Sequence, residues 1–426
     1  MPEFDLLIRG ATPLTKIGIT DGKFAGFNAG SAREEIDATG LLVLPGIVDA
    51  HVHFNEPGRA DWEGWATGSR SAIAGGVTTV CDMPLNSTPP VINIAAFDAK
   101  LQAARTQSAC DFALWGGLVP GSLGHLKPLA ERGVIGFKAF MSDSGIEDFP
   151  KTDLATLREA MFRATELDLP VAVHAEIDRE IPASGQSVED YLASRPVEME
   201  LEAIHAALEI AEETDCALHI VHVSSGRGVA LIAEARARGV NVTCETCPHY
   251  LIFTGDDMVR LGAVAKCAPP MREDAERTAL WEHLRAGRID TIGSDHSPSP
   301  WNLKERANFF QVWGGISGVQ HLAPVLIEAG LDPLLLAQFA ARNPAERFRL
   351  AHKGRLEVGT DADLFLVEPN ADYEVTAESL FYRHRRSPYI GRRLRARVDR
   401  TILRGKTIFL NGQFVGKPAG EFLKPL

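Results

Sequence analysis

Between residues 44 and 295 the chain alternates short runs of β-branched and apolar residues with amphipathic segments, and that rhythm limits the possible folds more than any other feature. The strand-like runs are "LPGIVDAHVHF" (44–54), "VTTVCDM" (77–83), "DFALWGG" (111–117), "VIGFKAF" (134–140), "PVAVHAE" (170–176), "ALHIVHV" (217–223), "VNVTCE" (240–245) and "IDTIGSD" (289–295). Helical patterns lie between most of them. In "MELEAIHAALEIAEE" (199–213), Leu201, Ile204, Leu208 and Ala211 follow the 3-4-3 spacing of one helix face. Eight strands alternating with helices predict an α/β fold, a (β/α)8 barrel. A doubly wound open sheet is the alternative, but no GxGxxG follows the first strand to support its usual dinucleotide site.

The two ends have a different texture. Residues 1–43 hold short strands punctuated by "DGK" and "NAGS", and "GRLEVGTDADLFLVE" and "RTILRGKTIFLNGQF" near the other end also read as strands with tight turns. Neither end is long enough to bury a core alone. The expectation is one small β-sandwich domain from residues 1–48 plus 353–426, beside a barrel at 49–352.

Lys and Arg number 44 against 56 Asp and Glu, a formal charge of −12. That balance disfavours nucleic acid and anionic membrane surfaces as partners, while leaving room for a small substrate. The six cysteines are dispersed. Cys81, Cys110, Cys216 and Cys244 sit in strand-like surroundings suited to reduced, buried thiols, and the Cys244/Cys247 pair lacks the second pair of a structural zinc site. "MPEFDLLIRG" lacks the basic and apolar regions of a signal peptide, and no run approaches about 18 apolar residues. The expected location is the cytoplasm.

Barrel enzymes carry their chemistry at the carboxyl ends of the strands. Metal-capable residues at those ends are His51 and His53 on the first strand, His174 on the fifth, His222 on the sixth and Asp295 on the eighth. His51 and His53 are two apart and share a face, either as half of a metal site or as two hydrogen-bonded structural histidines. His219 and His296 face away from their neighbours and read as packing residues; His205 lies in the amphipathic helix. Lys138 on the fourth strand either reaches solvent or, carboxylated on its nitrogen by CO2, becomes an anionic bridge between two cations.

Together the HxH, the strand-four lysine, the two further histidines and "SDHSP" resemble the binuclear amidohydrolase superfamily. So does "GRLEVGTDADLFLV" at the return into the small domain. The resemblance covers essentially the whole chain. It implies that His51, His53 and Asp295 bind one divalent ion, that His174 and His222 bind a second, and that carboxylated Lys138 bridges them. Zinc is the expected metal. Such a pair lowers the pKa of a bridging water toward ~7. Asp295 is then implied to take the proton of that hydroxide and return it to the leaving nitrogen, so that a cyclic amide is hydrolysed.

Three groups within the superfamily compete. Dihydroorotases resemble the first motif with an arginine at the position of Asn55, which cannot offer a charge-assisted fork. Dihydropyrimidinases and hydantoinases resemble the lysine motif with a tyrosine at the position of Asp143. Allantoinases resemble the chain in both places, through "HFNEPGRADWEGWATGSRSAIAGGVTTVCDMPLNSTPP", "GFKAFMSDSGIEDFP", "ETCPHYL", "KCAPPMR", "SDHSP" and "VWGGISGVQ". Allantoin is therefore the expected substrate. A scaffold that has lost catalysis is the alternative from outside the enzymes, though such members lack ligands that are all present here. Ser297, Arg59 and Gly315 are the candidate substrate contacts, with Trp62, Gly314 and His249 nearby. The resemblance also implies a homo-oligomer, a dimer or tetramer.

Overall fold

The computed structural model describes residues 2–179 and 185–426. Eight parallel strands follow one another around a barrel: Ile47–Val52, Val77–Asp82, Asp111–Leu114 with its continuation Gly116–Gly117, Phe137–Phe140, Val171–His174, Leu218–Ile220, Val242–Thr246 and Thr291–Ile292. Each pairs in parallel with the next. A parallel bridge between Val52 and His296, with His53 N–H donating to the His296 carbonyl at 2.8 Å, closes the last strand onto the first. Most of the strands are shorter than the runs that announced them. In the first, fifth, sixth and eighth runs surplus residues continue into loops at the carboxyl ends, where His53, His222 and Asp295 stand.

The expected first strand is in fact two. Leu42–Pro45 pairs antiparallel with Leu364–Glu368, whereas Ile47–Val52 pairs with the second barrel strand. The chain changes sheets at Pro45-Gly46, because a proline lacks the N–H that a continuous interior strand needs. The helix expected at 199–213 spans Val197–Thr214 and buries Ile204, Leu208 and Ala211. Helix starts are fixed locally, as where the Asp153 carboxylate accepts the Thr156 N–H at the head of Leu154–Glu166.

Both ends of the chain build a sandwich. One sheet runs Lys23–Gly26, Lys16–Thr20, Phe4–Arg9, Ala32–Asp37 in space; the other runs Gln413–Phe414, Lys406–Leu410, Arg397–Leu403, Leu364–Glu368, Leu42–Pro45. Leu6, Ile8, Ile17 and Phe24 of the first meet Val43, Leu364, Leu366 and Ile402 of the second in one core. Alternate residues of the second sheet, Phe365, Val367 and Phe409, belong instead to the core shared with the barrel. Period-two alternation thus lets one sheet bury both faces. The end of the chain returns to the barrel, where Leu423 N–H donates to Phe112 O at 2.8 Å and the Phe422 ring lies 5.7 Å from that of Phe112.

Lys353 ties the two parts together. Fully buried, it donates to Asp111 on the third barrel strand at 2.5 Å and to Asp363 at 2.8 Å, and Arg404 also bonds Asp111. All six cysteines are buried and unbridged. Among the described residues no helix is long and apolar enough to cross a membrane.

Candidate metal centre

His51 and His53 leave the first strand on one face, their ring centroids 5.4 Å apart. Asp295, just beyond the eighth strand, places Oδ1 3.3 Å from His51 Nε2 and 3.4 Å from His53 Nε2. One ligand atom from each of these three residues lies within 4.8 Å of the others. His222 sits 5.4 Å from His51 by ring centroid, and its Nε2 is 2.9 Å from His174 Nδ1. The triplet and the histidine pair implied by the sequence are thus neighbours. His222 and Asp295 both adopt positive φ, 38° and 45°. Side chains other than glycine rarely take that region, and such strain concentrates at functional sites.

Lys138 is the sharpest feature. Its side chain is wholly buried, its Nζ has no hydrogen-bond partner among the described residues, and burial pushes its amine down to about 7 despite the attraction of Asp295 and Glu245. An amine of that kind has a free lone pair near neutrality and can add CO2. His53 Nδ1 and His222 Nδ1 are likewise buried without partners. Burial lowers His53 and His174, and lowers His222 further, so the imidazoles are neutral, as metal ligands must be. Burial alone would raise the Asp295 carboxyl, but His51 and His53 hold it well below the usual carboxylate range. Four imidazoles, an ionised carboxylate and an orphaned amine fit a pair of divalent cations.

Behind these residues stand others that the sequence did not single out. Glu245, on the seventh strand and buried, lies 2.6 Å from His51 Nδ1 and also accepts the His222 N–H at 3.2 Å. A carboxylate on the outer nitrogen of a ligating histidine fixes its tautomer and ring orientation. Gly293 makes room for it: a Cβ there would lie 2.5 Å from Glu245 Oε2. Glu176 approaches His174 Nε2 at 3.4 Å and is clamped by Arg195 through both carboxylate oxygens. Against the cost of burial, Arg195 and His174 keep the Glu176 carboxyl down at about 2. A single charged residue inside an otherwise uncharged strand, as in "VNVTCET", was the available signal for Glu245.

The candidate substrate residues form one wall. Asn86 donates to Ser297 Oγ at 3.3 Å, and its carbonyl accepts from Arg59 Nη1 at 3.3 Å. The Arg59 guanidinium lies over Trp62 at 5.0 Å, and Trp62 meets Trp313 edge-on at 4.8 Å. Gly315 has φ +151°, and a Cβ on it would lie 2.2 Å from Ser297 O, so that approach requires glycine. His249 is buried, and desolvation lowers it to about 4. His219 bonds Thr243 at 2.8 Å, His296 faces Glu63 at 3.5 Å, and His205 lies exposed on its helix, all three apart from the ligand cluster.

A closed parallel barrel with histidines, an aspartate and a buried lysine gathered at its carboxyl rim defines a hydrolase of the metal-dependent barrel class. The chain belongs to the amidohydrolase family, whose pattern it matches over residues 42–408. It is 52% identical to the allantoinase of Rubrobacter xylanophilus, over 100% of this chain and 98% of that one. It is 50% identical to the allantoinase of Solibacter usitatus, over 98% and 94%. Its fold superposes on the L-hydantoinase (dihydropyrimidinase) from Arthrobacter aurescens with a TM-score of 0.94, at 33% identity over 99% of this chain and 100% of that one.

Proposed function

We propose that this chain is an allantoinase, opening the hydantoin ring of allantoin by hydrolysis to give allantoate. What supports the reading is the grouping of His51, His53 and Asp295 beside His222 and His174, with Lys138 buried and unpartnered among the described residues, in a chain about half identical to allantoinases along its whole length. In this reading His51, His53 and Asp295 would hold one divalent ion, His174 and His222 would hold the other, and Lys138, carboxylated by CO2, would supply an anionic ligand to them. Zinc is the metal we propose. Bound there, the ions supply Lewis acidity at the ring carbonyl and a water acidic enough to attack near neutral pH.

The chain's own groups do the rest. Asp295, ionised and held between His51 and His53, accepts the proton of the attacking water and returns it to the departing ring nitrogen. Glu245 keeps the His51 ring in one orientation throughout. Ser297, steadied by Asn86, meets the ureide; Arg59 and the Trp62–Trp313 contact shape the same wall, and Gly315 lets backbone come close to the flat ring. The reduced, buried thiols support a cytoplasmic enzyme, and we infer a homo-oligomer of two or four chains.

Stripping the protein with a chelator and restoring it with zinc and bicarbonate tests the reading. Activity on allantoin should fall with metal removal and return only when both are supplied. Full turnover by the stripped protein would refute it.

A further inference from the structure

The loop that follows Asp295 is held in an unusual way. Lys266 and Lys304 are both buried, and their hydrogen bonds among the described residues all go to backbone carbonyls. Lys266 Nζ donates to Phe309 O at 2.7 Å, Phe310 O at 3.1 Å and Val312 O at 2.6 Å. Lys304 Nζ donates to Trp313 O and Gly315 O, each at 2.8 Å. Five carbonyls of one seven-residue segment therefore turn inward onto two amines. The backbone of Lys266 adds a sixth tie, its carbonyl accepting the Gly315 N–H at 2.8 Å.

Burying two lysines with no carboxylate for either among the described residues is costly, and apolar side chains would fill the space more cheaply. What the arrangement gains is a fixed loop. Phe309–Gly315 has only a single short turn of regular structure, so its carbonyls need donors from elsewhere. The segment walls a cavity of about 580 Å³ at the barrel mouth, lined among others by Asp143, Ile177, Arg195, Lys266, Trp313 and Gly314. Its far end sets Trp313 against Trp62 and Gly315 against Ser297.

We propose that Lys266 and Lys304 are a pair of positioning residues that clasp Phe309–Gly315 over the barrel mouth and so govern how tightly substrate is held. Neither amine bonds a metal-centre residue, so the clasp acts on binding rather than on the reacting atoms. The inference rests on the reading that this mouth is the catalytic site.

The test uses the zinc-loaded protein and its Lys304→Met, Lys266→Met and Lys304→Arg variants, with kcat, KM for allantoin, bound zinc and the rate of chymotryptic cleavage between Phe309 and Trp313 all measured. The clasp predicts that each Met variant raises KM about tenfold or more while kcat and zinc content stay within about threefold, and that cleavage accelerates. Lys304→Arg, which keeps donors at the site, should show a smaller rise in KM at an unchanged melting temperature, and it remains informative if a Met variant fails to fold. An unchanged KM, or kcat and zinc falling in step with KM, would overturn the proposal. If the unaltered protein does not turn over allantoin, the substrate reading fails by itself, and the cleavage rates then decide: faster in the variants supports the clasp, equal rates reject it.

Discussion

Replacing Glu245 with Gln removes the charge facing His51 Nδ1 while keeping the side chain's shape beside Gly293. Because outer carboxylates orient and strengthen ligating imidazoles, zinc affinity should fall by about 10- to 100-fold, read by competition with a chromophoric chelator. Wild-type affinity in Glu245→Gln would show that the pair is merely structural. Lys138→Ala should lose zinc and activity together, because the side chain has no other role in its buried place: its Nζ bonds no described residue. Short carboxylic acids added to that variant should restore part of both by standing in for the proposed carbamate. The ligand candidates were legible one by one, since each stands at the carboxyl end of a recognisable strand. Glu245, Glu176 and Asn86 were not, because their meaning lies in contacts with His51, Arg195 and Ser297 that only the closed barrel creates.

At the scale of elements, the joint between barrel and sandwich rests on Lys353 amid Asp111, Asp361 and Asp363. Lys353→Met leaves buried carboxylates short of a partner and should cost about 3–5 kcal/mol of stability at neutral pH. The sign of its pH dependence follows from Asp363, whose carboxyl burial pushes up while Lys353 opposes the rise. With Lys353 gone the folded-state pKa climbs further above the unfolded value. The folded variant then binds the proton more readily than the unfolded chain, so its stability falls as pH rises and recovers as pH drops toward 4. Urea midpoints at pH 8 and pH 5 should show the gap to wild type narrowing on acidification; a constant gap would contradict this account. The same scale shows where periodicity misled. "LPGIVDAHVHF" is one apolar run, yet Gly46 divides it between two sheets, and apolar content alone does not say which partner a strand takes. The run at 289–295 similarly yields only Thr291–Ile292 as strand, the remainder turning through Asp295 at positive φ.

For the whole molecule, the alternation of eight strands with helices carried the fold, and the two-ended sandwich followed from the inability of either end to bury a core alone. Specificity is harder to read at this scale. The amidohydrolase family shares one barrel, and the chain superposes closely on a hydantoinase while being more nearly identical to allantoinases. The residues that set the patterns apart lie in loops, among them Asn55 and Asp143, which differ from the residues expected of the dihydroorotase and hydantoinase patterns. The measurement that bears most directly on the central claim is kcat/KM of the zinc-loaded protein on allantoin, hydantoin, dihydrouracil and dihydroorotate side by side. The account predicts a preference for allantoin of about a hundredfold or more over each of the others, because a site that hydrogen-bonds a ureide leaves buried polar groups unpaired against rings that lack one. Equal or faster turnover of hydantoin or dihydrouracil, or none of allantoin with zinc fully bound, would contradict it.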